Sequence, residues 1–183
     1  MNFYSDQIVN DIIDNKPLGE IIDSIEEFGE NCFNTIVKYT NQSIHHKYIY
    51  NVLGNTKNIV AFHCLDNEFM LENCPSILIY RKCKYKNEIR YYVLLVCTKR
   101  TFRSQGYASK LLDGLIDRIK EENNDYRDYI IKIILNSVEE SVKFYESYGF
   151  KWTRDSILNH NMLLKFERYE EEKEYFIMEY IIV

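Results

Sequence analysis

The chain has 183 residues, of which 46% are hydrophobic and 28% charged, and a formal net charge of −5. That is enough for one folded domain with a core, and it excludes a disordered chain. The acidic balance speaks against a nucleic-acid partner, and no run of about 18 apolar residues predicts a membrane span.

The N-terminus, MNFYSDQIVNDII, carries acids early and lacks a basic segment followed by an apolar run, so it does not read as a signal peptide. A short helix is expected around Ile8, Ile12 and Ile13. A second follows from Leu18, Ile21, Ile22, Ile25 and Phe28, which line one stripe, with Pro17 fitting its first turn. Residues 31–50 read as helix. From residue 58 the texture changes to strands: Ile59 to Leu65, Ser76 to Tyr85, and Ile89 to Thr98, the last two joined by a turn at Lys86-Asn87-Glu88. Ala108, Leu111, Leu112, Leu115 and Ile119 line one face of a helix over 108–122. Then come a strand at Tyr129 to Leu135 and a short helix at Glu139 to Tyr148 ended by Gly149. A strand follows at Phe150 to Thr153, and a last strand at Glu174 to Val183. The polar block 154–173 has no clear period. The order predicts an α/β (α+β) fold with a mixed, mainly antiparallel central sheet flanked by helices. It predicts one domain over 1–183, with a helical part at 1–55 and the sheet at 58–183.

Five scattered cysteines, Cys32, Cys64, Cys74, Cys83 and Cys97, show no C-x-x-C spacing. They read as reduced thiols of a cytoplasmic protein, and no metal site is expected. The adjacent His45 and His46 cannot converge on one ion from a helix or a strand.

Chemistry concentrates in VCTKRTFRSQGYASK, residues 96–110. A buried strand ends, a loop follows, and a helix starts near Ala108. The N-terminus of a helix offers unpaired N–H groups and a partial positive charge, which suit phosphate. Gly106 removes a Cβ from the path of an anion, Ala108 keeps the next contact small, and Ser109 adds a hydroxyl. No acid occurs from Ile89 to Leu112, yet Arg90, Lys99, Arg100, Arg103 and Lys110 do. Such focusing suits a multiply phosphorylated ligand.

A second segment, Phe144-Tyr145-Glu146-Ser147-Tyr148-Gly149-Phe150, follows about forty residues after Arg103-Ser104-Gln105-Gly106-Tyr107-Ala108. Together the two resemble the GCN5-related N-acetyltransferase (GNAT) superfamily. That family carries an Arg/Gln-x-x-Gly-x-Gly/Ala loop after a central strand and an aromatic helix ending in Tyr-x-x-x-Gly-Phe. The resemblance covers about residues 76–153. It implies the GNAT (acyl-CoA N-acyltransferase) fold, acetyl-CoA as co-substrate and an amine as acceptor. Backbone groups of Val96, Cys97 and Thr98 would pair with the pantetheine arm. The N–H groups of Arg103, Ser104, Gln105, Gly106, Tyr107, Ala108 and Ser109 would hold the pyrophosphate. Asn136 would bond the pantetheine amide, and Tyr145 would protonate the departing thiolate. The family's Asn seven residues before that Tyr is Val138 here. The family position for a general base holds Tyr92. Water, Tyr91, Tyr92, and a carboxylate from Glu68, Glu72 or the C-terminal segment all remain open for that role.

Two functions follow from the resemblance. One is an N-acetyltransferase acting on a primary amine of a protein or small molecule, as a monomer or homodimer. The other is a GNAT-like acyl-CoA-binding module without turnover.

Overall fold

The computed structural model describes residues 16–17, 28–63, 71, 74–125 and 127–182. The helices expected at 8–13 and 18–28 lie outside these residues, except that Phe28 opens a later helix. In sheet order the strands are β1 (Lys16–Pro17), β2 (Ile59–His63), β3 (Ser76–Tyr85), β4 (Glu88–Thr98), β5 (Ile130–Ser137), β7 (Phe176–Ile182) and β6 (Lys151–Trp152). The chain divides into two compact units, Met1–Tyr80 with Leu95–Gly114, and Arg81–Leu94 with Leu115–Val183.

In the first unit, β1 (Lys16–Pro17) pairs antiparallel with β2 (Ile59–His63), and β2 pairs antiparallel with the start of β3 (Ser76–Tyr85). Pro17 therefore sits opposite Ile59 on an edge strand rather than in a helical turn. An edge tolerates its missing N–H. The segment read as one helix over 31–50 is two, α1 (Phe28–Thr40) and α2 (His46–Gly54). Asn41 (φ 45°) and Gln42 (φ 69°) turn left-handed between them, and Asn accepts that conformation at a helix end. Cys32, Ile36 and Tyr39 of α1 are buried at intervals of four and three residues, one face of a helix. The Tyr39 hydroxyl, buried with that face, donates to the Cys74 carbonyl at 2.8 Å.

In the second unit, β4 (Glu88–Thr98) pairs parallel with β5 (Ile130–Ser137) from Glu88↔Ile130 to Val93↔Leu135. Between them in sequence lies α3 (Tyr107–Glu122), which begins one residue earlier than its apolar stripe predicts. β5 also pairs antiparallel with β7 (Phe176–Ile182), and β7 with the short β6 (Lys151–Trp152). β5 is thus paired on both sides, an interior strand of the sheet. β3 and β4, neighbours in the sheet, are joined by Lys86-Asn87 alone. Lys86 takes φ 53° there, and a two-residue connection joins antiparallel strands. The sheet is mixed and mainly antiparallel, with helices flanking it, as expected from the element order.

The polar block expected between the last strands contains a 3-10 turn at Ile157–Asn159 and a one-turn helix, α5 (Asn161–Leu164). Ile157, His160, Leu163 and Phe166 are buried at three-residue intervals along it.

α4 (Val142–Tyr148) ends at Gly149, whose φ is 125° and whose N–H donates to the Tyr145 and Glu146 carbonyls. A Cβ there would stand 3.1 Å from the Tyr180 ring. Gly149→Ala is therefore expected to lower unfolding free energy by about 1 to 2 kcal/mol. Urea denaturation checks this, as a lower midpoint with an unchanged slope.

Candidate active site

In the first unit, β4 ends at Thr98, a 3-10 turn spans Arg100–Phe102, and α3 starts at Tyr107. Between them Ser104 (φ 63°) and Gly106 (φ 84°) are left-handed. Only glycine adopts this conformation without strain, so Ser104 carries a cost of order 1 kcal/mol. Such turns swing successive N–H groups to one side and make an anion-binding concavity. Among the described residues, no main-chain N–H from Ser104 to Ser109 has a hydrogen-bond partner, while Lys110 N–H begins the helical pattern on the Gly106 carbonyl at 3.0 Å. Arg103 to Gly106 are exposed. A Cβ on Gly106 would stand in open space, the space a phosphate would use. The residues present therefore fit a polyphosphate.

Side chains fix this loop from beneath. The Arg103 guanidinium donates from Nη2 to the Tyr39 carbonyl at 2.7 Å and from Nε to the Thr98 carbonyl at 3.4 Å. Tyr39 lies in the last turn of α1, where carbonyls lack helical partners and attract a cation. Gln105 Nε2 donates to the Thr101 carbonyl at 3.2 Å. Tyr107 is buried, edge-on to Phe102 with centroids 5.6 Å apart and tilted against His63 at 5.1 Å. Arg103, Gln105 and Tyr107 thus use their side chains on the protein.

Val96 and Thr98 are half-buried and Cys97 is buried. Ser76 Oγ donates to the Cys97 carbonyl at 2.9 Å and lies 3.1 Å from Thr98 Oγ1. Burial pushes the Cys97 thiol far up, with Cys32 adding to it, so Cys97 stays protonated and is no nucleophile. Burial likewise pushes Cys32 up to about 12. Among the described residues the β4–β5 register ends at Val93↔Leu135, while β4 itself runs on to Thr98.

In the second unit, the amide of Asn136 is engaged at both ends: Nδ2 donates to Glu167 Oε2 at 2.9 Å, and Oδ1 accepts from the Phe176 N–H at 3.1 Å. Tyr145 is buried on α4, edge-on to Phe144 at 5.1 Å and to Phe150 at 5.4 Å. Arg90, which the sequence groups with the basic loop, instead pairs with Glu88 and donates to the Tyr92 hydroxyl at 3.1 Å. Lys132 bridges Glu88 and Glu179, each at 3.0 Å.

The same unit holds an arrangement that sequence reading missed. The Tyr92 hydroxyl lies 3.0 Å from His160 Nδ1, and His160 Nε2 lies 3.0 Å from Asp155 Oδ2. Tyr92 and His160 are each 2% exposed. Burial pushes the His160 pKa down, and Arg90 adds to this; Asp155 and Glu179 pull it back without prevailing. Burial works to raise Asp155, but hydrogen bonds from Asn159, His160 and the Ser156 N–H outweigh it and hold the carboxyl below its usual range. The signal for His160 was present: it stands in a three-residue apolar spacing with Ile157, Leu163 and Phe166, where a histidine is out of place unless partnered.

No curated protein matches the sequence. Among solved structures, the chain is similar to GCN5 from Tetrahymena, at 12% identity over 93% of this chain and 97% of that one, with a TM-score of 0.60. It is similar to an acetyltransferase of the GNAT family from Staphylococcus aureus Mu50, at 14% over 87% and 96%, with a TM-score of 0.60. It is also similar to an aminoglycoside 6′-N-acetyltransferase complexed with coenzyme A, at 11% over 88% and 94%, with a TM-score of 0.59. At these identities the likeness is one of fold. Residues 78–165 match the acetyltransferase (GNAT) domain family.

Over residues 78–165 the sequence matches the GNAT superfamily, and the chain has the GNAT fold.

The GNAT match takes in Val96 to Ser109, Asn136 and Tyr145, and also Asp155 and His160. The strand end and the loop lie together in the first unit, and Asn136 and Tyr145 in the second. No helix among the described residues is long and apolar enough to cross a membrane.

The buried histidine makes stability pH-dependent. Its folded pKa is depressed, so the unfolded chain binds the proton first as pH falls below about 6.5. Stability is then full above that value and declines below it, by up to about 1.4 kcal/mol per pH unit until the folded form also protonates. Asp155 adds a loss in the same direction at lower pH. Urea unfolding between pH 7.5 and 5 is expected to show the decline in the wild type and a flatter profile in His160→Gln.

Proposed function

We propose that the chain is an N-acetyltransferase. It would move the acetyl group of acetyl-CoA to a primary amine of a protein or small molecule by direct attack in a ternary complex. One N-acetyltransferase domain over 1–183 would carry the reaction in the cytoplasm, as a monomer or homodimer. The observation that supports this most is the run of N–H groups from Ser104 to Ser109 at the head of α3, which have no partner among the described residues and are exposed from Ser104 to Gly106, within a chain of GNAT fold whose residues 78–165 match the GNAT family.

Acetyl-CoA, when bound, supplies an activated acetyl thioester. The part of the chain is to hold and orient. The N–H groups of Arg103 to Ser109 would grip the pyrophosphate. That of Arg103 would contribute least, since it is already directed at the Arg100 carbonyl, 3.4 Å away. Main-chain groups of Val96, Cys97 and Thr98 would align the pantetheine arm, one N–H polarising the acetyl carbonyl. Asn136 would have to exchange its bond to Glu167 for one to the pantetheine amide. Tyr145 would give its proton to the leaving thiolate. Placing amine and thioester side by side removes much of the entropic barrier.

The paired state of Asn136 and the buried setting of Tyr145 favour a second reading, a GNAT-like acyl-CoA-binding module without turnover. A panel of amines separates the two: thiol release with any of them supports the transferase, and cofactor binding with none supports the module.

Gly106→Glu is expected to abolish acetyl-CoA binding in calorimetry, because a carboxylate would enter the phosphate site. Retained affinity would remove the loop from the cradle. Tyr145→Phe is expected to leave that affinity intact and to lower kcat by about a hundredfold. An unchanged kcat would leave Tyr145 as a packing residue.

A further inference from the structure

We propose that the segment from Asp155 to Phe166 is an acid-sensitive latch, fastened to β4 by the contact between the neutral His160 ring and the Tyr92 hydroxyl and let go when that ring takes a proton from solvent. The segment, its anchors and Tyr92 all lie in the second unit. The latch does not depend on the transferase reading.

The segment is tied down on either side. Before it, the Thr153 N–H and hydroxyl both donate to the Ile177 carbonyl, at 2.9 and 3.0 Å. After it, Glu167 accepts from Asn136 at 2.9 Å and from Lys173 at 2.7 Å. Just inside the first anchor, Arg154 takes φ 58°, a left-handed conformation that a residue with a side chain holds only under constraint. Within the segment Ile157, Leu163 and Phe166 are buried. Asp155 Oδ1 spends its bonds locally, on the Ser156 N–H and on Asn159 Nδ2. His160 makes the polar contact to β4, its Nδ1 lying 3.0 Å from the Tyr92 hydroxyl.

Counting hydrogens shows why that contact needs a neutral ring. The Asp155 carboxyl is ionised near neutral pH and only accepts, so His160 Nε2 carries the ring hydrogen at their 3.0 Å contact. Nδ1 is then a lone pair. Arg90 Nη1 donates to the Tyr92 oxygen at 3.1 Å, so the phenolic hydrogen points at Nδ1. A proton added to Nδ1 meets that hydrogen head on. If Tyr92 turned its hydrogen away, its oxygen would accept from Arg90 and His160 together. The displaced hydrogen would then have no acceptor, since the hydroxyl bonds to no other group among the described residues and Tyr92 is 2% exposed. An unpaired buried donor destabilises the state that holds it. In the released state both groups meet water.

The charges that face the ring do not reverse this. Burial disfavours the imidazolium most; Asp155 on the segment and Glu179 on β7 favour it, Arg90 on β4 opposes it, and the neutral ring prevails. Glu88 on β4 and Cys83 on β3 face Tyr92. Lys132 on β5 offsets Glu88 and Glu179, and Lys165, at the end of α5, faces Cys83. The released ring titrates near 6.5 and the held ring lower. Release is therefore suppressed above about pH 6.5 and grows as pH falls, by up to about tenfold per unit until the held ring also protonates. Asp155 acts in the same direction only toward the ordinary carboxyl range.

Residue-resolved hydrogen exchange on the full chain tests the latch. Rates corrected for the intrinsic rate at each pH give an opening constant for each amide. Over 155–166 that constant is expected to rise by up to about tenfold between about pH 6.5 and 5.5. It is expected to exceed the constants of β4 and β5 amides and to respond less to added urea than theirs, as a local opening does. In His160→Gln the constant over 155–166 is expected to stay level across the same range. Two wild-type results decide the matter even if that variant does not fold. The His160 ring is expected to titrate below about 6.5 in proton NMR, and the segment to open ahead of the strands. A constant over 155–166 that ignores pH, or one equal to that of β4 and β5 with their urea dependence, would overturn the latch. So would a His160 titration at or above the ordinary value, or a wild-type pH response persisting in His160→Gln.

Discussion

A helix cannot satisfy the N–H groups of its own first turn, and the start of α3 is built around that fact. Most helices cover those groups with a capping side chain. Here Ser104 and Gly106 turn left-handed, and among the described residues the N–H groups from Ser104 to Ser109 have no partner. Arg103 could have met a ligand, yet its guanidinium reaches inward to the end of α1 and to Thr98. The loop is held by carbonyls on its inner side so that its donors remain available on the other.

The second unit obeys a different constraint. Charge taken out of water must be paired. Glu179, Lys132, Glu88, Arg90, Tyr92, His160 and Asp155 form an unbroken sequence of hydrogen bonds and ion pairs drawn from β7, β5, β4 and the segment before β7. Signs alternate along its first four members, so each charge is offset by its neighbour. Removing one partner would strand the next, at a cost of about 3 to 5 kcal/mol for a buried pair. Lys132 and Arg90 expose only 12% of their side chains, so this part of the network is well withdrawn from solvent. The ring of His160 ties the turn at Ile157–Asn159 to the sheet by the same logic.

Much of this was legible in the sequence, and the physical reasons are specific. The strands β3, β4 and β5 announce themselves because buried strands need β-branched and aromatic residues on both faces. The stripe from Ala108 to Ile119 and the glycine after Tyr148 fix two helices by period and cap. The left-handed turn before α3 was legible because Gly106 marks it. What stayed hidden depends on contacts distant in sequence. Arg90 reads as part of a basic cluster until Glu88 and Tyr92 are seen to claim it. Asn136 reads as a free amide until Glu167 and Phe176 are found at its two ends. His160 and Tyr92 are 68 residues apart, and no local pattern joins them. Asn41 and Gln42 broke a helix that the apolar spacing alone would have carried through.

The loop's reliance on main chain has an evolutionary reading. A surface made of peptide groups is the same whatever side chains decorate it, so substitution cannot erase it one residue at a time. What lineage must transmit is a pair of dihedral angles and an inward anchor, a very small inheritance. Descendants can therefore exchange nearly every outward side chain while keeping the same row of main-chain donors.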